Sequence, residues 1–459
     1  MFFDKTKKLN LEARVHSSER SFNEIPIWMP GSGPGFGDIM TTLKLAEGLK
    51  LEFPNKKVTI YFGKEDDYNT LRKLYSHFDS KELEFCLNGI SVAQVSENEI
   101  RKIMSKSLIG IYTPITMTEL PPFQDIMMDA EINLYIEEYN GMGNIRLFLE
   151  IKRNIVHADM NGRKHLILST GFDDESIGIH IDSSLTQLPT KINNKIKESL
   201  LQNANFQWIK MYIPDLMQSE WGLAYYVKNH HFRTDAPNDS YLKSLLKYLK
   251  NITNRKRSIT IFDFSNVNPC SIEEYKYEPF CDIFLQENGQ AKLIKGNKFD
   301  MSSSKVYIVH VGSQKHSTFL DFLRYSELPV AITGDCSLSE AISFNKTFFY
   351  AAPRWKKEVF PAFINLAADY LDNWEDINRI GSLISSNKIN EEKFRKYNEF
   401  KKIHLDLFYP EANNSHKLFY DSSYKDSFHR YNQALIQKMN ISKNLANIIK
   451  EAVQQYNRD

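Results

Sequence analysis

Apolar and polar positions alternate most legibly between residues 306 and 350. Apolar, β-rich residues fill 306–311 and stop at Gly312. Phe319, Leu320, Phe322, Leu323 and Leu328 then recur at the spacing of one helical face. A second apolar run, 330–333, ends in Gly334-Asp335, and a third, 348–350, closes the stretch. Between these runs Ser337 stands three residues before Glu340, among Leu338, Ala341 and Ile342. That spacing predicts a short helix starting on a capping box. Strand, helix, strand, turn, helix, strand predicts a parallel α/β sheet. Such sheets bind ligands beyond the C-terminal ends of their strands, where this turn delivers a helix N-terminus and a carboxylate.

The chain opens with the same pattern. Residues 1–24 are polar, and 25–29 form a short apolar run that enters PGSGPGFGD, residues 30–38. Ile39, Leu43, Leu45, Ala46 and Leu49 follow at helical spacing, and 58–62 read as a strand. Strand, Gly-rich loop, helix, strand is the opening of a Rossmann-like domain. Gly31, Gly33, Gly35 and Gly37 allow close approach of backbone to a ligand. The dinucleotide fingerprint GxGxxG fails, because counting from Gly31 ends on Phe36 and counting from Gly33 ends on Asp38. No Gly-Lys-Ser/Thr follows, so the phosphate-loop pattern fails as well. An acid at a helix start competes with a phosphate for the helix dipole. Asp38 therefore has two readings: a working carboxylate at the edge of an active site, or an N-terminal helix cap.

Helical spacing recurs at 71–78, 97–104 and 125–131, and 109–112 read as extended. A strand at 166–169 enters an acidic loop whose Asp173 and Asp174 either contact an acceptor or are simply solvated. Trp208, Trp221, Tyr225 and Tyr226 suit a cleft or a domain interface. His230-His231 lacks the i, i+4 spacing of a helical metal site and reads as structural. Residues 233–257 are polar around a short helix at 241–249 and end in the basic run Arg255-Lys256-Arg257. That run lacks interleaved aromatics and reads as a solvated linker face. A β pattern resumes at 258–264, so the domain boundary is expected at 250/251. The organisation expected is an N-terminal Rossmann-like domain over 1–250, a second α/β domain over 251–371, and a helical tail over 372–459. Helices at 394–407 and 435–453 would pack that tail back on the domains.

Composition narrows the function classes. A chain of 459 residues, 42% apolar, exceeds one domain and can bury a large core. Lys and Arg number 58 against 57 Asp and Glu, so no net charge draws the chain to nucleic acid or an anionic membrane. The four cysteines, Cys86, Cys270, Cys281 and Cys336, form no CxxC pattern of a zinc or redox site. No apolar run approaches the ~18 residues of a membrane span, and residues 1–10 lack a signal-peptide core. The expectation is a soluble, cytoplasmic protein with reduced thiols, with signal-independent export left open.

Two Rossmann-like halves facing a cleft, with a helical tail, resemble the GT-B glycosyltransferases. The resemblance is most specific in AITGDCSLSEAISFNKTFFY, residues 331–350. It implies a donor site in which Gly334, Asp335, Ser337, Leu338 and Ser339 hold the diphosphate of a nucleotide sugar. Glu340 would hold the ribose, and Gly312 would meet the base through its backbone. Elementary chemistry agrees. N–H groups at a helix start bind anions, and a carboxylate can accept hydrogen bonds from two vicinal hydroxyls. The plainer alternative leaves Ser337 and Glu340 as a capping box only. Lys315 and His316 fall on the implied ligand side, and Arg354, Trp355, Lys356 and Lys357 follow the third strand; the cations among them either offset charge on a leaving diphosphate or are ordinary surface residues.

GFGDI, residues 35–39, also resembles the NFGDIG segment of bacterial protein-arginine rhamnosyltransferases, and Gly334-Asp335-Cys336-Ser337 is similar to their GEDS turn. Pro34 stands where that family has an aspartate. No Asp-x-Asp occurs in the chain, which favours transfer without a metal. The resemblance implies a glycosyltransferase with no separate cofactor and no metal. It would use a nucleotide-diphosphate sugar, with Asp38 as base, inversion at the anomeric carbon, and a protein, lipid or glycan acceptor. A nucleotide-sugar 2-epimerase and a non-catalytic nucleotide- or sugar-binding module are the alternatives.

Overall fold

The structure is a computed structural model. It describes residues 20–31, 37–74, 84–115, 129–139, 157–158, 162–172, 176–203, 206–213, 215–225, 241, 244–245, 247–249, 257–264, 280–285, 291–295, 306–312, 314–351, 359–371, 376, 379 and 415–458. The chain divides into two compact units. The first comprises 1–183, 358–370 and 434–459, and the second 184–357 and 371–433.

The first unit is built on eight strands: β1 (Glu24–Met29), β2 (Lys57–Phe62), β3 (Glu84–Leu87), β4 (Ile90–Gln94), β5 (Ile109–Ile115), β6 (Ile132–Tyr139), β7 (His157–Ala158) and β8 (Lys164–Thr170). Their spatial order is β3-β4-β2-β1-β5-β6-β8-β7. The inner six are all parallel, and β3 and β7 add antiparallel edges. Counting only the parallel strands, the order is 3-2-1-4-5-6, that of a doubly wound dinucleotide-type sheet. Parallel sheets are covered on both faces, which is why β8 is buried at every position.

Helix α1 (Gly37–Glu52) follows β1 and buries Ile39, Met40, Leu43, Leu45, Ala46 and Leu49, as its spacing predicts. Helix α2 (Glu65–Leu74) starts earlier than the expected 71. Helix α3 (Glu97–Met104) lies where predicted. Its start is fixed by Ser96, which accepts from the Glu99 N–H while its own N–H donates to the Glu99 carboxylate at 2.8 Å. The helix expected at 125–131 is not formed over the described residues 129–131, which lead directly into β6. Ile132 takes its pairing from Leu108 instead.

The second unit carries β9 (Glu220–Ala224), β10 (Ile259–Asp263), β11 (Phe280–Leu285), β12 (Ala291–Lys295), β13 (Val306–His310), β14 (Val330–Thr333) and β15 (Phe348–Ala351). Their order is β12-β11-β13-β10-β9-β14-β15, all parallel except the edge strand β12. Counting only its parallel strands, the order is 3-4-2-1-5-6, with the connections after β9 and β14 leaving in opposite directions as in the first sheet. The first strand of this sheet is therefore β9, which lies before the boundary expected at 250/251. The whole of Glu220–Ala224 pairs in register with Ile259–Asp263. Trp221, read from sequence as lining a cleft or a domain interface, is core here, packed on Phe262 and Phe322. Trp208 is also buried.

Among the described residues, further helices include α4 (Asn194–Leu201), α5 (His316–Tyr325), α6 (Asp335–Ser343), α7 (Val359–Tyr370), α8 (Ser422–Lys438) and α9 (Ile441–Tyr456). C-terminal helices are present, among them the stretch expected at 435–453. The stretch 435–453 is broken at Met439-Asn440, because the Asn440 side chain caps a new helix by accepting from the Ser442 and Lys443 N–H groups. Residues 358–370, expected in the second domain, belong to the first unit, and the tail is divided between the two at 433/434. In the first unit α9 packs on α1. Gly48 leaves room for Ser442, and Lys450 Nζ lies 3.3 Å from a Glu52 carboxylate oxygen. The helix expected at 394–407 lies outside the described residues.

Candidate active site

In a doubly wound sheet, ligands bind beyond the C-terminal strand ends where successive connections leave in opposite directions. In the second unit that point lies between β9 and β14. β9 connects onward to β10 on one side and β14 to β15 on the other. The two strands are held at this end by the Tyr225 N–H, which donates to the Ala331 carbonyl at 2.7 Å. Tyr225 follows β9 directly, and Gly334 follows β14. The turn read from sequence as the candidate site therefore stands at the switch point of its sheet.

Gly334 precedes α6 with φ 80° and ψ 160°, a left-handed conformation that favours glycine. Helix α6 starts three residues earlier than its sequence suggests, with Gly334 rather than Ser337 at the cap. Its first turn is closed by the Leu338 N–H donating to the Gly334 carbonyl at 3.1 Å. The capping box is not formed. The Ser337 hydroxyl donates back to the carbonyl of Thr333, the residue one turn before it. Consequently the N–H groups that the helix leaves outside its ladder belong to Asp335, Cys336 and Ser337, and the Leu338 N–H is committed. Leu338 is a core side chain and Ser339 is fully buried. Gly312, at φ 63°, turns the chain just after β13.

Glu340 is 1% exposed. Without a capping role, its carboxylate reaches the preceding helix, α5. His316 Nε2 lies 2.8 Å from Glu340 Oε1, and Cys336 Sγ donates to the same oxygen at 3.2 Å. Cys336 and Glu340 are one turn apart on α6 and so share a face. His316 is the first residue of α5, and its ring lies nearly parallel to Phe319 at 6.3 Å. Phe319 also packs on Tyr225 at 5.3 Å. The Tyr225 phenol is held above its ordinary pKa, first by burial and then by the negative charge available at Cys336 and Glu340. Four chemically active side chains thus converge beside the Gly334 turn. Sequence reading named Glu340, Tyr225 and His316 separately and left Cys336 without a role. The legible signal was the Cys-x-x-x-Glu spacing, once the helix is begun at Asp335.

A second polar pair stands at the same end of this sheet. Asp263 ends β10 and His310 ends β13; the two are register partners, and His310 Nδ1 lies 2.7 Å from Asp263 Oδ2. Both are buried or nearly so. Alternation along the strands puts them on the face of Ile261 and Ile308, which pack with Tyr241 and Tyr248. Tyr225 and Phe264 face α5 on the other side.

In the first unit the switch point lies between β1 and β5, and the loop after β1 leads there. Asp38 occupies the first turn of α1, half-buried, and Gly37 has open space where a Cβ would stand. The Lys64 side chain lies across Gly31, close enough that a Cβ there would displace it. Gly33, Gly35, Asp173, Asp174, Tyr226, His230, His231 and Arg354–Lys357 lie outside the described residues.

No protein-family model and no curated protein matches the chain. Solved structures align with it at low identity. A glycosyltransferase from Rickettsia africae aligns at 10% identity and a TM-score of 0.45, covering 95% of this chain and 99% of that one. Anabaena HepE, in complex with UDP and glucose, aligns at 9% identity and a TM-score of 0.44, covering 94% and 99%. A UDP-forming α,α-trehalose-phosphate synthase from Burkholderia xenovorans, in complex with glucose-6-phosphate, gives 9%, 0.43, 94% and 99%. The fold is read from strand order and register, independently of these similarities.

Proposed function

We propose that the chain is a glycosyltransferase that takes a sugar from a nucleotide-diphosphate donor. The observation that carries this reading is the placement of Glu340 and the Gly334 turn at the switch point of a doubly wound sheet. In this reading the N-terminal turn of α6, from Asp335 to Ser337, receives the diphosphate. The buried Glu340 carboxylate accepts hydrogen bonds from the ribose hydroxyls, exchanging those it now takes from His316 and Cys336. Gly312, just beyond β13, suits close approach by a base, since it has open space around its Cα. Asp38, at the corresponding point of the first sheet, acts as the base that takes the proton from the acceptor hydroxyl. A base acting in line implies inversion at the anomeric carbon. Helix N–H groups and cations offset the diphosphate charge, so transfer proceeds without a metal.

A panel of UDP-, GDP-, dTDP- and CMP-sugars, screened by thermal shift, tests the reading. One nucleotide class should raise the melting temperature by mass action. Product analysis by NMR with that donor should show sugar moved to an added acceptor or to water. Conversion of the donor to its epimer without acceptor would replace transfer by epimerisation. Binding without consumption of donor would leave a binding module.

A further inference from the structure

His316, Cys336 and Glu340 each offer one ligand atom, and these atoms all lie within 4.8 Å of one another. We infer that they form a binding site for a zinc-class divalent cation, with three protein ligands and an open fourth position.

The donor set fits such an ion: one imidazole nitrogen, one thiolate sulfur and one carboxylate oxygen are the ligand types zinc takes, and three is the number in sites that keep a position open. The geometry is close to what a tetrahedral ion needs. Bond lengths of about 2.0–2.3 Å put neighbouring ligand atoms roughly 3.3–3.7 Å apart. Nε2 and Sγ lie 2.8 and 3.2 Å from the shared oxygen. Side-chain torsions lengthen these two sides and bring Nε2 and Sγ, which lie within 4.8 Å of one another, to the same ion. Two of the ligands stand one helical turn apart on α6 and the third begins α5, so regular elements hold all three. Glu340 closes the buried side, while His316 and Cys336 are partly exposed and give the ion an entry path. The Phe319 ring beside His316 limits its rotation.

Binding balances simply. The Cys336 thiol gives its proton to solvent and coordinates as thiolate. The proton on His316 Nε2 moves to Nδ1, freeing the Nε2 lone pair. Glu340 coordinates as carboxylate, and one proton is released per ion. The ion takes the oxygen that the proposed function assigns to the ribose. Resting on that reading, ion and nucleotide therefore exclude one another, and the cation inhibits a transfer that does not need it.

Cobalt(II) titration of the full-length protein tests the site, because thiolate-to-cobalt charge transfer absorbs in the near ultraviolet. One equivalent should give a saturable band. Cys336→Ser should abolish it, and His316→Gln should weaken cobalt binding at least ~10-fold, with far-ultraviolet circular dichroism showing both variants folded. If either variant is unfolded, carbamidomethylation of Cys336 in the native protein, mapped by mass spectrometry, replaces it; bound cobalt should protect the thiol. Absence of a saturable band, its survival in Cys336→Ser, or unprotected alkylation overturns the site. In a second arm, with free cobalt held constant by a metal buffer, a nucleotide that binds should raise the apparent cobalt Kd. A bound nucleotide that leaves it unchanged overturns the competition. A clear cobalt band with no nucleotide binding at all removes the proposed function and leaves the metal site standing.

Discussion

His316 Nε2 stands 2.8 Å from Glu340 Oε1, tying the first residue of α5 to a carboxylate buried in α6. A buried carboxylate held this way is already oriented before any ligand arrives. Glu340→Gln retains the shape and removes the charge. Charge-assisted hydrogen bonds contribute about 1.5–3 kcal/mol each, so nucleotide affinity should fall roughly 10- to 100-fold while the protein stays folded. Isothermal titration with the nucleotide found by the thermal screen measures this. Unchanged affinity would remove Glu340 from the ribose site.

Lys346, in the turn between α6 and β15, gives a prediction for alkaline pH. Burial pushes its pKa down to about 7, against the pull of Glu327 and helped by Arg324, while its ammonium donates to the Ser326 carbonyl at 2.8 Å. In the unfolded chain the group titrates near 10.4. Between these values the unfolded chain holds the extra proton, so folding becomes more favourable as pH rises from about 7 toward 10. The ceiling is about 4 kcal/mol over that window, at 1.36 kcal/mol per unit. Lys346→Met should flatten this rise. Urea unfolding of both proteins at pH 7 and pH 9.5 compares them, and parallel slopes would show that Lys346 is charged when folded.

Much of this architecture was legible because its signal is local. The runs at 58–62, 109–112, 166–169 and 330–333 became β2, β5, β8 and β14 with bounds shifted by a few residues at most. Fully buried parallel strands read as continuous apolar runs, and these did. Strand order was not legible, because pairing is non-local. Residues 220–224 hold one tryptophan and two small residues, a weak strand signal in isolation, and only β10 and β14 on either side make them the first strand of a sheet. The start of α6 was hidden for a different reason. Ser337 and Glu340 have the spacing of a capping box, but a serine hydroxyl can also bond the carbonyl one turn back, and here it takes the Thr333 carbonyl. Moving the helix start by three residues brings Cys336 onto the face of Glu340 and releases the carboxylate toward His316, a residue 24 positions away.

Gly178 joins the segment after β8 to the C-terminal helices of the first unit. Its φ is 119°, and a Cβ there would lie well inside contact distance of the Met439 carbonyl. That carbonyl also accepts from the Ile179 N–H at 2.7 Å, and the Ile441 N–H donates back to Ile179 at 3.0 Å. Gly178→Ala should therefore combine a strained backbone, about 1–3 kcal/mol, with loss of this two-bond bridge. A melting temperature lower by several degrees, measured calorimetrically, is the expected outcome. A shift within a degree of zero would mean that the bridge does not hold the segment.

His180 lies in the same segment and sets the acid limit of the first unit. It is buried beside Lys44, and desolvation first and the lysine charge second push its pKa down to about 3. In the unfolded chain a histidine titrates near 6.5. The unfolded state therefore takes up the proton first as pH falls. The stability that the neutral ring contributes is complete above about 6.5 and drains away between there and about 3, at 1.36 kcal/mol per unit, so at most roughly 5 kcal/mol in all. Glu47 works in the opposite sense. Burial raises its pKa despite the Asn88 hydrogen bond, with Asp182 adding to the rise and Lys44 opposing it. Protonating it on acidification therefore relieves a cost. Comparing wild type with His180→Gln separates the two, since Glu47 is common to both. Denaturant unfolding between pH 7 and pH 4.5 should show the variant losing less stability per pH unit, by up to one proton's slope. Equal slopes would mean that His180 is protonated in the folded state with a compensating partner, which its burial beside Lys44 argues against.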